Sequence, residues 1–165
     1  MSLRLVIMGV AGCGKSTVGA ALSQSLGIPY RDGDHLHSRE AVEKMRGGTP
    51  LTDEDRWPWL DRIAQALKHD APLIIGCSAL RRAYRDRIRS GAGGPVIFVH
   101  LVGDRDLIAS RMASRSGHYM PLSLLDSQFA TLEWPGPDEA IEAAIAQPID
   151  AIVEKVLSHL QGVPQ

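Results

Sequence analysis

The chain has 165 residues, the size of one domain with a substantial core, and 44% of its residues are hydrophobic. This hydrophobic content, with 22% charged residues, argues against a disordered chain or a membrane protein, and the net charge of −1 argues against a general nucleic-acid or membrane-surface role. The two cysteines, Cys13 and Cys77, have neither disulfide-framework nor metal-ligand spacing. We therefore expect a single domain over residues 1–165 in a reducing, cytoplasmic compartment.

The first strong pattern is a glycine-rich segment between a predicted strand at residues 3–8 and a predicted helix at residues 16–26. Residues 9–17 read GVAGCGKST and match the pattern G-x-x-x-x-G-K-[ST] completely. Its glycines allow backbone N–H groups to converge on phosphates, while Lys15 can reach the β- and γ-phosphates and Ser16 can ligate Mg²⁺. This segment, the phosphate loop, predicts a nucleotide-binding protein.

A short second strand at residues 28–31 precedes two aspartates and two histidines. Asp32 and Asp34 are separated by one glycine, which indicates a turn that keeps both carboxylates close. In a kinase, one such aspartate can hold Mg²⁺ and another can accept the proton of the acceptor hydroxyl. Together with His35 and His37, the cluster is also compatible with a transition-metal site or a solvated acidic turn.

Two helices are predicted next. Ser38 is placed to cap the first, which ends near residue 45. Thr52 and Asp55 form a capping-box-like pair, and Pro58 is expected in the first turn of the second helix. Arg56 is unusual here, because the positive end of a helix dipole disfavours a cation.

Residues 72–77 form a continuous apolar run, which is typical of a strand buried on both faces of a parallel sheet. The helix that follows begins with a series of arginines at positions 81, 82, 85, 87 and 89. Ligands of open α/β sheets bind beyond the carboxyl ends of the strands. We expect one or two of these arginines to hold an anion and the others to be solvated.

A fourth strand at residues 96–101 leads into a helix opened by Asp104. Arg111 and Arg115 lie one turn apart on this helix, which is unfavourable for two cations unless an anion lies between them. Small and flexible residues follow, so we expect a lid over about residues 115–127 that closes on the phosphates and excludes water. The alternative is a surface helix that ends in a turn, with Arg115 favoured by the helix dipole.

The last third of the chain predicts a helix at residues 122–132, a weak strand at 140–146 and a terminal helix at 149–160. The weak strand is rich in alanine and contains Glu142, which suit a helix equally well. Strands alternating with helices predict a three-layer α/β/α sandwich around a parallel sheet of about five strands.

Several longer segments resemble the gluconokinase family, and together they cover nearly the whole chain. They are residues 8–17, DGDHLH at 32–37, EKM at 43–45, GTPLTDEDR at 48–56, CSAL at 77–80, YRD at 84–86, GHYM at 117–120 and QFATLE at 128–133. The resemblance implies ATP-dependent phosphorylation of D-gluconate at its 6-hydroxyl by a homodimeric P-loop NTPase of the nucleoside monophosphate kinase type. A kinase of another small acceptor, such as a shikimate-like acid, and a non-catalytic nucleotide switch are the alternatives.

The resemblance also implies roles for particular residues. The implied catalytic residues are Lys15, Asp34 as the general base, and Arg115 as the lid cation. Mg²⁺ is assigned to Ser16 and Asp32. The residues assigned to ATP are Gly12, Cys13, Gly14, Lys15, Ser16, Thr17, Arg111, Arg115, Gln147 and Pro148. Those assigned to D-gluconate are Asp34, His37, Lys44, Arg56, Arg82 and His118.

Two segments depart from the family pattern. Cys13 stands where serine is frequent, and a thiol at a helix N-terminus beside a lysine is either a passive small residue or a redox-sensitive one. Residues 144–146, Ala-Ile-Ala, replace a more acidic and β-branched strand end. The adenine side of the site is therefore less closely matched than the phosphate loop.

Overall fold

The order of the elements follows the predicted alternation of strands and helices. The structure is a computed structural model that describes residues 2–114 and 122–161. Its strands are β1 (Arg4–Met8), β2 (Tyr30–Asp32), β3 (Leu73–Gly76), β4 (Ile97–Val102) and β5 (Ala140–Ala144). Its helices are α1 (Lys15–Leu26), α2 (Arg39–Arg46), α3 (Asp53–His69), α4 (Arg82–Gly91), α5 (Arg105–Ser114), α6 (Leu122–Thr131) and α7 (Ile149–Gln161), with a 3₁₀ turn at Gly33–Leu36.

The five strands form one parallel sheet in the order β2-β3-β1-β4-β5. Leu5 in the central strand β1 is opposite Ile74 of β3 on one side and Ile97 of β4 on the other. The loop after β1 therefore emerges between the loops after β3 and β4, at the carboxyl edge where such sheets bind ligands. The predicted parallel sheet of about five strands is confirmed, and so is the weak fifth strand, Ala140–Ala144.

The core lies on both faces of this sheet. Successive side chains of β1 and β3 point to opposite faces of the sheet. Leu5 and Val6 of β1 and Ile74 and Ile75 of β3 are fully buried. Because βαβ crossovers are right-handed, α1 lies on the face opposite α3 and α4, whose crossovers run the other way across the sheet. Within the two described ranges, no helix is both long and apolar enough to cross a membrane.

Helix caps explain where α2 and α3 begin. Ser38 accepts a hydrogen bond from the N–H of Ala41 and caps α2, as predicted. Thr52 and Asp55 form a complete capping box, and α3 starts at Asp53, the residue after Thr52. The expectation that Pro58 lies in the first turn is therefore wrong. Pro58 is in the second turn, where its ring nitrogen cannot donate to the carbonyl four residues earlier.

Candidate active site

The phosphate loop adopts a conformation that depends on glycine. Gly14 has a φ of 97° and serves as the N-cap of α1, and Gly12 has a φ of 77°. A Cβ on Gly14 would meet nothing within 4 Å, so its backbone angle, not crowding, requires glycine there. The loop thus presents the unpaired N–H groups at the start of α1, the arrangement that binds phosphate.

The ammonium group of Lys15 is held against this loop. Its Nζ donates to the carbonyl oxygens of Gly9 at 3.1 Å and Val10 at 3.0 Å. The same side chain lines a cavity of about 260 Å³, which we call the acceptor cavity. The predicted phosphate-binding cation is therefore next to a space that can hold a second substrate.

Asp32 and Asp34 have different positions in the turn after β2. Oδ1 of Asp32 accepts the N–H of Asp34 at 2.9 Å and caps the 3₁₀ turn. Asp34 lines the acceptor cavity together with Lys15, whereas Asp32 does not. The predicted turn is confirmed, and it places a carboxylate beside the phosphate loop.

The transition-metal alternative for this segment gains no support. Among residues 2–114 and 122–161, no group of three or more histidine, cysteine or acidic side chains is arranged to hold a metal ion. His35 and His37 instead line the acceptor cavity.

His37 forms one wall of the acceptor cavity by stacking on Trp59, with ring centroids 4.0 Å apart and planes inclined by 17°. The indole of Trp59 donates to the carbonyl of Gly33 at 2.8 Å, which fixes the pair to the 3₁₀ turn. Burial, followed by the charges of Arg56 and Arg62, lowers the pKa of His37 to about 4. His37 is therefore neutral near pH 7, and its buried Nδ1 lacks a hydrogen-bond partner among the described residues.

The remaining polar wall of the acceptor cavity comes from α2, α3 and α6. Sequence reasoning identified Arg56 but missed Arg46, Ser127 and Gln128. Arg46 follows the EKM segment directly, and Gln128 opens the QFATLE segment, so both lie in or beside the motifs that carried the family resemblance. Among the described residues, the cavity therefore combines three cations with one carboxylate: Lys15, Arg46, Arg56 and Asp34.

Two residues predicted to contact the acceptor do not line this cavity. Lys44 forms an ion pair with Asp55, with Nζ 2.9 Å from Oδ2. The side chain of Arg82 is 70% exposed and lies 3.9 Å from Asp86. The structure brings neither of them to the cavity, because each points toward an acidic neighbour near its own helix.

The other arginines of α4 also have structural partners. Arg85 is 1% exposed, with Nε 2.6 Å from Oε1 of Glu139 and Nη1 2.7 Å from the carbonyl of Ala79. Arg87 pairs with Asp61 on α3. The arginines of α4 were expected to include one or two that hold an anion. None of those described lines the acceptor cavity.

A second cavity, of about 340 Å³, is lined by the glycines of the phosphate loop and by residues after β5. Nη2 of Arg111 donates to the carbonyl of Ile145 at 2.9 Å, which ties α5 to the segment after β5. The structure thus brings together most of the residues predicted to bind ATP. They are Gly12, Cys13, Gly14, Thr17, Arg111, Gln147 and Pro148.

Both cysteines lie inside the fold. Cys13 is 1% exposed and Cys77 is fully buried. Burial raises the pKa of the Cys77 thiol to about 12. Inaccessibility of Cys13 favours its role as a passive small residue of the loop over a redox role, because thiol reactivity needs an accessible thiolate.

The predicted lid is described only in part. Arg115 and His118 lie outside the described residues. The described part of the predicted lid, residues 122–127, belongs to α6, which brings Leu124, Ser127 and the following Gln128 to the acceptor cavity.

Comparison with known proteins agrees with this geometry. The family described as AAA domain matches residues 5–135. The chain is 44% identical over 163 residues to a gluconokinase from Gluconobacter oxydans, covering 96% of this chain and 91% of that protein. The crystal structure of a gluconokinase from Sinorhizobium meliloti aligns with a TM-score of 0.88 at 45% identity, covering 97% and 92% of the two chains. Shikimate kinase from Bacteroides thetaiotaomicron, at 16% identity and a TM-score of 0.69, shares the fold.

Proposed function

The chain belongs to the gluconokinase family, and on that premise we propose that it transfers the γ-phosphoryl group of ATP to the 6-hydroxyl of D-gluconate. One observation carries the proposal within the structure. Asp34 and Lys15 line the same cavity, so a base and a phosphate-binding cation meet where an acceptor hydroxyl would lie. A protein that only bound nucleotide would need neither the carboxylate nor the polar cavity.

Four side chains of the acceptor cavity have a role in this reaction. Asp34 accepts the proton of the attacking hydroxyl. Lys15 leaves the carbonyls of Gly9 and Val10 and offsets the charge on the transferred phosphoryl group. Arg56 provides the positive charge that a sugar-acid carboxylate needs, and neutral His37 exchanges hydrogen bonds with the hydroxyls.

We further propose that Ser16 and Asp32 hold Mg²⁺. Oxygen atoms are the ligands that Mg²⁺ prefers, and when bound it would offset negative charge on the phosphates. Burial raises the pKa of the Tyr30 hydroxyl to about 12; the Ser16 side chain lowers this pKa, and the negative charge of Asp32 raises it. Ser16 is in the first turn of α1, which follows β1, and Asp32 ends β2, so a hydroxyl and a carboxylate are both at the carboxyl edge of the parallel sheet.

Other features of the family are proposed for this chain. Arg115 acts as the lid cation over the phosphates, and His118 contacts the acceptor. The enzyme works as a homodimer in the cytoplasm. Sedimentation velocity at two protein concentrations tests the assembly, because a homodimer predicts twice the mass of the 17.9 kDa chain.

An acceptor panel tests the function. Release of ADP is measured with D-gluconate, shikimate, D-glucitol and no acceptor, and the product is identified by its oxidation with 6-phosphogluconate dehydrogenase. We expect kcat/KM for D-gluconate to exceed that for the other acceptors by at least about a hundredfold, because a site that hydrogen-bonds its substrate discriminates strongly against molecules that lack the matching groups. Lys15→Met is the control for a contaminating kinase. ADP release that is independent of D-gluconate would refute the proposal.

A further inference from the structure

Arg56 is held in position by a buried tyrosine. Its Nη1 donates to the hydroxyl oxygen of Tyr84 at 2.9 Å, and Tyr84 is 1% exposed. The hydroxyl of Tyr84 in turn donates to Oδ1 of Asp53. Asp53 also lies 3.5 Å from Nη1 of Arg81. These contacts form a chain from an aspartate through a tyrosine to an arginine of the acceptor cavity.

The donors and acceptors in this series of hydrogen bonds can be assigned in only one way. A guanidinium only donates and a carboxylate only accepts, so the single proton of Tyr84 must go to Asp53. The hydroxyl oxygen then remains available to accept from Arg56. Burial and the hydrogen bond to Asp53 raise the pKa of Tyr84, which keeps its proton in place. No other orientation of the hydroxyl satisfies both neighbours.

Packing restricts the same side chains. The guanidinium carbon of Arg56 lies 5.3 Å from the centre of the Tyr84 ring. Trp57 contacts that ring edge-on, with centroids 5.6 Å apart. A free arginine loses about 2 kcal/mol of rotamer entropy when it is ordered. Here the fold imposes that order before any ligand binds.

We propose that Tyr84 and Asp53 are positioning residues that hold Arg56 toward the carboxylate of the acceptor, and thereby set the preference for a sugar acid over a neutral polyol. The proposal rests on the proposed function. Tyr84 occupies one Nη of Arg56, and a guanidinium has further N–H groups with which to hold a carboxylate. A preorganised cation binds more tightly because less entropy is lost on binding.

The decisive variant is Tyr84→Phe, which removes the hydroxyl and keeps the ring. We expect the KM for D-gluconate to rise about tenfold, the scale of one hydrogen bond to a charged group. The KM for ATP and kcat should change less than about twofold, because the nucleotide cavity is untouched. The preference for D-gluconate over neutral D-gluconamide should fall by the same factor as the KM for D-gluconate rises. This preference is measured as a ratio of kcat/KM values or of inhibition constants.

A double-mutant cycle separates positioning from a general loss of structure. In an Arg56→Ala background, Tyr84→Phe should cause no further rise in the KM for D-gluconate, because its effect passes through Arg56. Asp53→Ala should resemble Tyr84→Phe, whereas Asp53→Asn keeps an acceptor oxygen and should restore most of the affinity. Glu54→Ala is the matched control, since it removes an exposed acid from the same helical turn.

Several outcomes would overturn the inference. They are an unchanged KM for D-gluconate in Tyr84→Phe, equal losses for ATP and D-gluconate, and additive effects in the cycle. If Tyr84→Phe does not fold, Asp53→Ala provides the same comparison. A wild-type enzyme without activity on D-gluconate would refute the proposed function instead, so the two failures are distinguishable.

Discussion

The backbone N–H of Ala11 donates to Oε1 of Gln128 at 2.7 Å, across 117 positions of the chain. Ala11 belongs to the phosphate loop and Gln128 to α6, and both line the acceptor cavity. One side chain therefore connects the loop that binds phosphate to a helix that forms the wall of the acceptor site. The arrangement of two walls of the cavity depends on this contact.

Replacement of Gln128 by leucine tests this connection. The change leaves the half-buried N–H of Ala11 without its partner. The free energy of unfolding should therefore fall by about 1 kcal/mol. The KM for D-gluconate should rise several-fold, because α6 is no longer tied to the loop. Urea denaturation and steady-state kinetics measure the two effects. Thr131→Ala is the control, since the Thr131 hydroxyl donates to the carbonyl of Ser127 within α6. Equal behaviour of the two variants would contradict the prediction.

Asp34→Asn should separate binding from chemistry. Asparagine has the same shape but cannot accept the hydroxyl proton, so kcat should fall by about 10² or more while ATP affinity is nearly unchanged. Rapid-quench kinetics and nucleotide titration measure these quantities. Asp70→Asn is a matched control, because Asp70 pairs with Arg31 at the surface. Wild-type turnover in Asp34→Asn would remove Asp34 from the role of base.

Arg85→Ala should destabilise the fold. The change leaves Glu139 beside an empty space and removes the donors to the carbonyls of Ala79 and Glu133, at 2.7 Å and 3.0 Å. Glu139 keeps its ion pair with Arg89, 3.1 Å away, so the expected loss is about 3 kcal/mol, the lower end for a broken buried ion pair. Arg87→Ala on the same helix removes an exposed pair and should cost less than about 1 kcal/mol. Chemical denaturation measures both, and similar losses would show that burial of Arg85 is energetically unimportant.

The stability of the protein should depend on pH through His100. Burial, followed by the charge of Arg85, lowers the pKa of His100 to about 4, compared with about 6.5 in an unfolded chain. Below pH 6.5 the unfolded state takes up the proton first, so stability is lost as the pH falls from about 6.5 to 4. The loss between pH 7 and pH 5 should be about 2 kcal/mol.

His100→Phe removes this group and keeps an aromatic ring against Trp134, whose centroid lies 5.1 Å from that of His100. The free energy of unfolding is compared between the two proteins at pH 7 and pH 5. The wild type should lose about 2 kcal/mol more than the variant over this interval. Parallel losses would mean that His100 takes up its proton equally readily in both states.

Local patterns in the sequence predicted much of the fold. The alternation of apolar runs and helical stripes predicted the parallel sheet. The helix starts were predictable because the capping hydrogen bonds Ser38–Ala41 and Thr52–Asp55 join residues within one helical turn. The weak strand at Ala140–Ala144 was the hardest to predict from its residues, and its pairing with β4 decides its conformation. The first-turn preference of proline gives the wrong position for Pro58, because the capping box of Thr52 and Asp55 starts α3 at Asp53, more than one turn earlier.

Residue types at fixed short spacings are enough to predict the phosphate loop, the turn that carries Asp34 and the family. Which cations reach the acceptor cavity depends on how the helices pack. Arg46 and Arg56 line it, whereas Arg82 and Arg85 of α4 are taken up by acidic partners. A long charged side chain goes to whichever opposite charge or polar group the fold brings within its reach. For Arg85 that partner is Glu139, 54 positions away in the chain, whereas Arg82 meets Asp86 one turn along its own helix.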